Sequence, residues 1–360
     1  MTMNNDHPRP RIAISACLLG KNVRYDGGHC QDRFLTDELG PHVEWVPVCP
    51  EIEAGLGKPR PAIHLNQAPG EAGADRDQDR LLTRDGVEVT PAVREACQRI
   101  LDSIGPVDGF LLKRASPSCG PYRQTVYRQT EDGGRMPSRK DSGLFARAAR
   151  ELLAERGLEL AIEDEGRLSD PDLRLFFATR VFAAARWRAL RDRLLDPAAP
   201  ASPRSVRREV ERFHAAHKYL LLIHDEPTSR RLGRLIATSP VLESVDFIER
   251  YGRWFTGALA RRPHARRHLN ALQHLAGYLR GEATPADRAS LASSIDDFAA
   301  GFVPLSVPLA LLEHLMVRHD LSYPMSQLYR QPFPRELALT SRLFCKSSRK
   351  RASSSRKRAS

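Results

Sequence analysis

The sequence predicts an α/β N-terminal domain, a mostly parallel sheet with covering helices, followed by an all-α C-terminal domain. Short apolar runs alternate with helical patterns through the first half, the rhythm of strand–helix–strand units. A Pro/Ala/Ser stretch without periodicity, DPAAPASPRS at residues 196–205, then interrupts that rhythm. Beyond it the apolar residues recur at helical spacing. At 360 residues, 41% apolar and 28% charged, the chain can build two ordinary cores, and it has no apolar run of membrane-spanning length.

The strands expected in the first half are residues 11–15, 43–48, 109–113 and 158–162. Helices are expected at 90–103, where Thr90 would cap and Pro91 would take the first position, at 144–156, and from Asp170-Pro171 to about residue 195. In the second half the stripes predict helices at 206–224, 240–261, 266–280, 285–302 and 305–318. The expected organisation is therefore a catalytic domain at 11–195, a linker at 196–205 and a helical domain at 206–345. A disordered Ser/Arg/Lys tail at 346–360 completes it.

Charge separates the halves. Residues 1–200 hold 29 basic and 30 acidic side chains, residues 201–345 hold 20 and 14, and the last fifteen hold seven basic and none acidic. All of the basic excess thus lies in the second half, which suggests an anionic partner, nucleic acid being the usual one. Arg207, Arg208, Arg230, Arg231, Arg234 and the pairs Arg261-Arg262 and Arg266-Arg267 would form its phosphate-facing surface. His214, His217, His224, His264, His268 and His274 have helical spacing but no acid–His motif, so a metal site there is not expected. The polar start MTMNNDHPRPR lacks the apolar middle of a signal peptide, and the expected compartment is the cytoplasm.

Six cysteines in a chain this long are too sparse for a disulfide scaffold. Cys17, Cys49 and Cys119 each end an apolar run and precede turn-forming residues. A strand end followed by a turn exposes backbone N–H groups that stabilise thiolates, the soft ligands of iron–sulfur clusters. With no CxxC pair, spacing alone favours buried or idle thiols over a metal site. Cys97 falls on the apolar face of a helix and reads as core. Cys30 reads as a loop thiol, and Cys345 as incidental.

The blocks around these cysteines carry a resemblance. ISACLLGKNVRYDGGH, WVPVCPEIEAGLGKPRPAI and LLKRASPSCGPYRQTVY resemble, in order, three signature stretches of the thiouracil desulfidase family, over roughly residues 11–195. FHAAHKYLLLIHD, RRLGRLIA, HLNALQHLAGYL, VPLSVPLALLEHL and YRQPFPRELAL resemble a helical partner domain of unknown function. The pairing resembles bacterial desulfidases that remove sulfur from 4-thiouridine in tRNA. The resemblance implies a [4Fe-4S] cluster on Cys17, Cys49 and Cys119 with one iron lacking a protein ligand, and catalytic roles for Ser116 and Glu51. The chain departs from the family at MPSRKDSGLFA, where only Gly143 remains of a glycine-rich turn, at Cys30, and in the tail.

The reaction so implied is non-redox. The open iron would take the sulfur of C=S, water would attack C4, and Glu51 would accept its proton while Ser116 holds the base. Ser15, Lys113 and Ser118 are candidate substrate contacts, with Arg24 for a phosphate, Tyr25 and Tyr122 for stacking, and Asp26 to order the Cys17 loop. Arg60, Arg114 and Arg123 are further basic residues near the motifs. The competing readings are desulfuration of free thiouracil or a thionucleotide, and a cluster-bearing nucleic-acid-binding or redox-sensing protein without turnover.

Overall fold

The computed structural model describes residues 7–67, 78–130, 134–199, 201–238, 245–337 and 339. Cys345 and the 346–360 tail, expected to be disordered, lie outside these. The chain divides into two compact units, Pro8–Ser169 and the combination of Met1–His7 with Asp170–Ser360.

The Pro8–Ser169 unit runs β1 (Arg11–Ser15), β2 (Glu44–Val48), α1 (Pro50–Glu53), β3 (Ile63–Asn66), β4 (Arg80–Thr83), α2 (Thr90–Ser103), β5 (Gly109–Leu112), β6 (Gln124–Gln129), β7 (Arg135–Asp141), α3 (Leu144–Glu155) and β8 (Ala161–Asp164). Strands β2-β1-β5-β8 form one parallel sheet, with Ala13 opposite both Val46 and Phe110. The α/β expectation is met here, and the first three expected strands lie within a residue of their places. The fourth forms three residues later, where Ala161, Glu163 and Asp164 are buried. Helices α2 and α3 turn Val93, Cys97, Phe145 and Ala149 into one apolar cluster with Ala13, Phe110 and Leu112 of the sheet. Cys97 is thus core, as its helical face implies.

Thr90 does not cap α2. It lies inside the helix, and its hydroxyl accepts the Leu81 N–H at 2.8 Å, tying β4 to the helix. A second sheet, β4-β3-β6-β7, was not anticipated. It pairs β3 with β4 and β6 with β7 antiparallel, and β3 with β6 parallel.

The other unit is helical, as expected: α4 (Pro171–Leu194), α5 (Pro203–Thr238), α6 (Val245–Ala260), α7 (Ala265–Ala276), α8 (Pro285–Ala300) and α9 (Ser306–Arg318). Asp170 caps α4, accepting the N–H groups of Asp172 and Leu173. The division falls before α4, whereas the sequence set the boundary at 196–205. The reason is packing: Ala183, Trp187, Leu190 and Leu194 of α4 belong to the same core as Phe213, Tyr251 and Phe255. A Cβ at Gly252 would meet the Trp187 indole at 2.2 Å, so α4 and α6 approach closely through that glycine.

Helix α5 outruns its expected end at 224 and kinks there. Asp225 leaves helical geometry (φ −153°, ψ 89°) two residues before Pro227, and its carboxylate then accepts from the Thr228 hydroxyl at 2.8 Å, restarting the helix. Among the described residues no helix is long and apolar enough to cross a membrane.

Candidate active site

The parallel sheet sets out the site. β1 sits between β2 and β5, so the chain goes to one side of β1 and later returns to the other, and ligands of such sheets sit beyond the strand ends at that switch. Cys17 follows β1 in the tight 3-10 turn Ala16–Leu19, which Gly20 closes in the left-handed region (φ 83°). Cys49 follows β2 directly and precedes α1. Cys119 follows β5 in the Ser116–Gly120 turn, where the Gly120 N–H reaches the Ser116 carbonyl at 2.7 Å. All three line one cavity of about 370 Å³, together with Ser15, Arg24, Tyr25, Glu51, Arg60, Lys113 and Ser116.

A directed chain of hydrogen bonds crosses the wall. The Cys119 N–H donates to Ser116 Oγ at 3.1 Å, Ser116 and Ser118 hydroxyls lie 3.0 Å apart, and Ser118 Oγ donates to Glu51 Oε1 at 2.5 Å. A carboxylate only accepts, so Ser118 spends its one proton on Glu51 and Ser116 donates to Ser118. The other Glu51 oxygen takes Nε and Nη2 of Arg60 at 2.9 and 2.5 Å. Arg60 also donates to the carbonyls of Gly57 and Val23, so it fastens Glu51 instead of meeting phosphate. Sequence reasoning offered Arg60 only as a basic residue. The usable signal was its position nine residues beyond Glu51 within one motif block.

Lys113 is anchored as well: its ammonium bonds Glu165 and the Arg114 carbonyl, and its N–H donates to Ser15 Oγ at 2.9 Å. Glu165 was not singled out from the sequence, because its partner lies 52 residues away.

Burial pushes all three thiols up. Cys17 rises to about 12, mainly by burial and then by the negative fields of Cys30 and Cys49, with Lys113 and Arg24 pulling back less. Cys119 rises well above the ordinary thiol value, by burial and then by Cys49, and Ser15 hydrogen-bonds it. Cys49 rises by burial. The three sulfurs therefore sense one another electrostatically. Yet among the described residues no group of three His, Cys, Asp or Glu could hold a single metal ion. Three thiols round one cavity supply the soft sulfur donors that iron–sulfur clusters take.

The remaining candidates divide. Tyr25 is 44% exposed at the cavity, with Arg24 beside its ring at 5.5 Å. Asp26 stands outside the lining, pairing with Arg24 at 3.2 Å and accepting the Gly28 N–H at 3.0 Å, so it orders the loop after Cys17. Ser118 is fully buried behind the wall. Tyr122 is not brought to the cavity: its hydroxyl donates to the Ile162 carbonyl at 2.7 Å and its ring lies between Arg150 and Arg167. Cys30 lies nearer than a loop thiol need be. Its N–H donates to the Cys17 carbonyl at 2.9 Å and its sulfur accepts from Arg24 at 3.0 Å.

Gly143 holds the cysteine turn. A Cβ there would lie 2.7 Å from the Ser118 carbonyl, which the Phe145 N–H needs at 2.8 Å. Gly143→Ala should destabilise the unit by about 1–3 kcal/mol, read by urea melts, and lower the iron retained per chain.

Residues 12–165 match the family model for 2-thiouracil desulfurase, almost the whole of this unit. This region is therefore similar to that family over less than half of the chain. Residues 218–334 match the model for a protein of unknown function, DUF1722. A solved structure of a [4Fe-4S]-dependent thiouracil desulfidase, TudS, is 28% identical and covers 46% of this chain and 98% of its own, with a TM-score of 0.35. The uncharacterized protein YbgA of Escherichia coli K12 is 29% identical over 128 residues, 35% of this chain and 76% of that protein. The matched region, residues 12–165, contains all three cysteines and the Glu51–Ser118 pair, together with the cavity that the cysteines and Glu51 line.

Proposed function

We propose that the Pro8–Ser169 unit removes sulfur hydrolytically from a thiolated pyrimidine, using a [4Fe-4S] cluster held by Cys17, Cys49 and Cys119, and that its substrate is 4-thiouridine in tRNA. The observation that carries the reading is the convergence of three thiols and the Glu51–Ser118–Ser116 chain on one cavity. The donor set fits the group: three soft sulfur ligands line one cavity of about 370 Å³. When bound, the cluster supplies an iron without a protein ligand, a soft Lewis acid for the sulfur of C=S.

The chain's own residues do the rest. Glu51 takes a proton from the water that attacks C4, and Ser118 and Ser116 carry hydrogen bonds from its carboxylate to the cavity. The C–S bond breaks as C–O forms, sulfur leaves as hydrosulfide, and no electrons are exchanged. Tyr25 and Arg24 at the cavity stack on the base and meet its phosphate.

The basic surface of the helical unit supports an RNA substrate. Arg230, Arg261 and Arg207 are paired with Glu226, Asp225 and Glu211, but Arg208, Arg234 and Arg266 are exposed and have no acidic partner among the described residues. Such side chains are free for phosphates, and binding should weaken steeply with salt.

The test is anaerobic purification, iron and sulfide analysis, and incubation with thiouracil and with tRNA containing 4-thiouridine, following loss of near-ultraviolet absorbance. Reaction of the tRNA supports the proposal. Reaction of thiouracil alone makes the free base the substrate, and a cluster without either reaction makes the protein a binder. Glu51→Gln should keep its iron and lose ~10²–10⁴-fold in turnover.

A further inference from the structure

The helical unit encloses a second cavity, of about 460 Å³, walled by α4, α5, α9 and the segment from Tyr329 to Arg335. Its sides are aromatic. Phe176 stacks on His224 with centroids 5.8 Å apart and planes 21° from parallel, and His268 lies against Tyr329 at 5.7 Å.

Both histidines are buried, 1% and 7% exposed. His224 Nδ1 meets the Arg261 carbonyl at 2.7 Å. A carbonyl only accepts, so the proton sits on Nδ1 and Nε2 carries a bare lone pair. His268 Nδ1 meets the Tyr329 hydroxyl at 3.0 Å. Neither Nε2 has a partner among the described residues. Burial keeps both rings neutral, lowering His224 to about 4 and His268 to about 3.

Cationic groups face the same space. The Arg330 side chain is 7% exposed and bonds Glu313 at 2.8 Å through Nη2, while its Nε is buried without a partner. Arg262 and Arg335 stand exposed among the lining residues. A cavity of this size with ring walls and a few convergent polar groups is built for a small ligand. The His224 Nε2 acceptor, without a donor, asks for an N–H group, and a guanidinium with an unused donor asks for an oxygen.

We propose that this cavity binds a nucleotide, its base between the aromatic walls with N–H donors to His224, and its phosphate toward Arg330 and Arg262. A metal held by the two histidines is disfavoured, because no third ligand completes a group among the described residues. The proposal is independent of the desulfurase reading, since it concerns binding in the other unit.

Calorimetry on the full-length protein with the four ribonucleoside 5′-monophosphates tests it, with ribose 5-phosphate as the base-free control. At least one monophosphate should bind at one site per chain, roughly tenfold or more tighter than the control. His224→Phe, which keeps the ring and loses the acceptor, and Leu309→Trp, which fills the cavity, should each weaken binding roughly tenfold or more. Melting midpoints will show that both variants fold. A short single-stranded RNA that binds tighter than any monophosphate, and loses that affinity in the same variants, would identify the nucleotide as part of RNA. Absence of binding by all four monophosphates, or binding unchanged in both variants, overturns the proposal. Turnover plays no part in these readouts, so failure of the desulfurase reading would leave them intact.

Discussion

Cys119→Ala, purified anaerobically, should fold but retain no [4Fe-4S] cluster and no desulfurating activity. The thiol is 6% exposed and touches Ser15, so its removal leaves a small void and costs about 1 kcal/mol or less of stability. Its effect on the site is far larger, because two cysteines cannot replace three. Two controls make the result specific. Cys97→Ala removes a thiol just as buried, 2% exposed, but lies in the α2 core and should leave iron content unchanged. Cys30→Ala probes the thiol beside Cys17 and should also keep the iron. Loss of iron in Cys30→Ala would make Cys30 a ligand and remove the open coordination position. An active, iron-free Cys119→Ala protein would end the cluster reading altogether.

Acid should destabilise the helical unit well above the pH at which most carboxylates protonate. Burial lowers His214 and His224 to about 4 and His268 to about 3, and lowers His217 well below its ordinary value. The local chemistry agrees at His217, whose Nδ1 faces the Phe213 carbonyl at 2.7 Å while Nε2 accepts from Arg186 at 3.1 Å. A proton on Nε2 would confront a buried guanidinium. That guanidinium is itself pulled down to about 9 by burial. These folded values lie below the unfolded value of about 6.5, so above that pH all four are neutral in both states and stability does not change. As pH falls from about 6.5 toward 4 the unfolded chain takes up protons that the folded one refuses, and stability falls. With four sites the slope reaches about 5 kcal/mol per pH unit at most. The four sites together remove about 6 kcal/mol by pH 5.5 and about 8 by pH 5, so a domain stabilised by no more than about 8 kcal/mol opens by pH 5 and a more stable one only below it. Urea melts followed by tryptophan fluorescence at pH 7.5 and 5.5 will measure it, since Trp187 reports on this core. Equal midpoints at the two pH values would show that these histidines are not held neutral.

The parts of the fold that could be read in advance were those with a local signature. β1 and β5 are central and buried, and such strands read as apolar runs. β2 lies at the sheet edge, half-exposed, and was legible only because Trp45, Val46, Pro47 and Val48 still make an apolar run. β7 is RMPSRKD, an edge strand exposed along most of its length, and β6 is half polar, so neither carries a pattern that distinguishes it from a loop. The cysteines and Glu51 were legible because they sit in recognisable blocks. Arg60 holding Glu51, and Glu165 holding Lys113, are choices among many charged residues that only the packed chain makes. Thr90 was misread for the same reason: a threonine before Pro91 suits a cap, but the Leu81 N–H across the fold claimed its hydroxyl. α4 was assigned to the wrong side of the boundary because sequence proximity says nothing about which core receives Trp187.

The strand order also has a meaning in time. A chain emerging from the ribosome can pair β1 with β2 early, bringing Cys17 and Cys49 side by side. The opposite flank of β1 stays open until Gly109–Leu112 arrives, and the third thiol follows later still. Parallel pairings at such separation close slowly. An iron–sulfur donor that reaches the nascent chain too soon meets two thiols and an unpaired strand edge, so cofactor delivery belongs after synthesis of this domain, not during it.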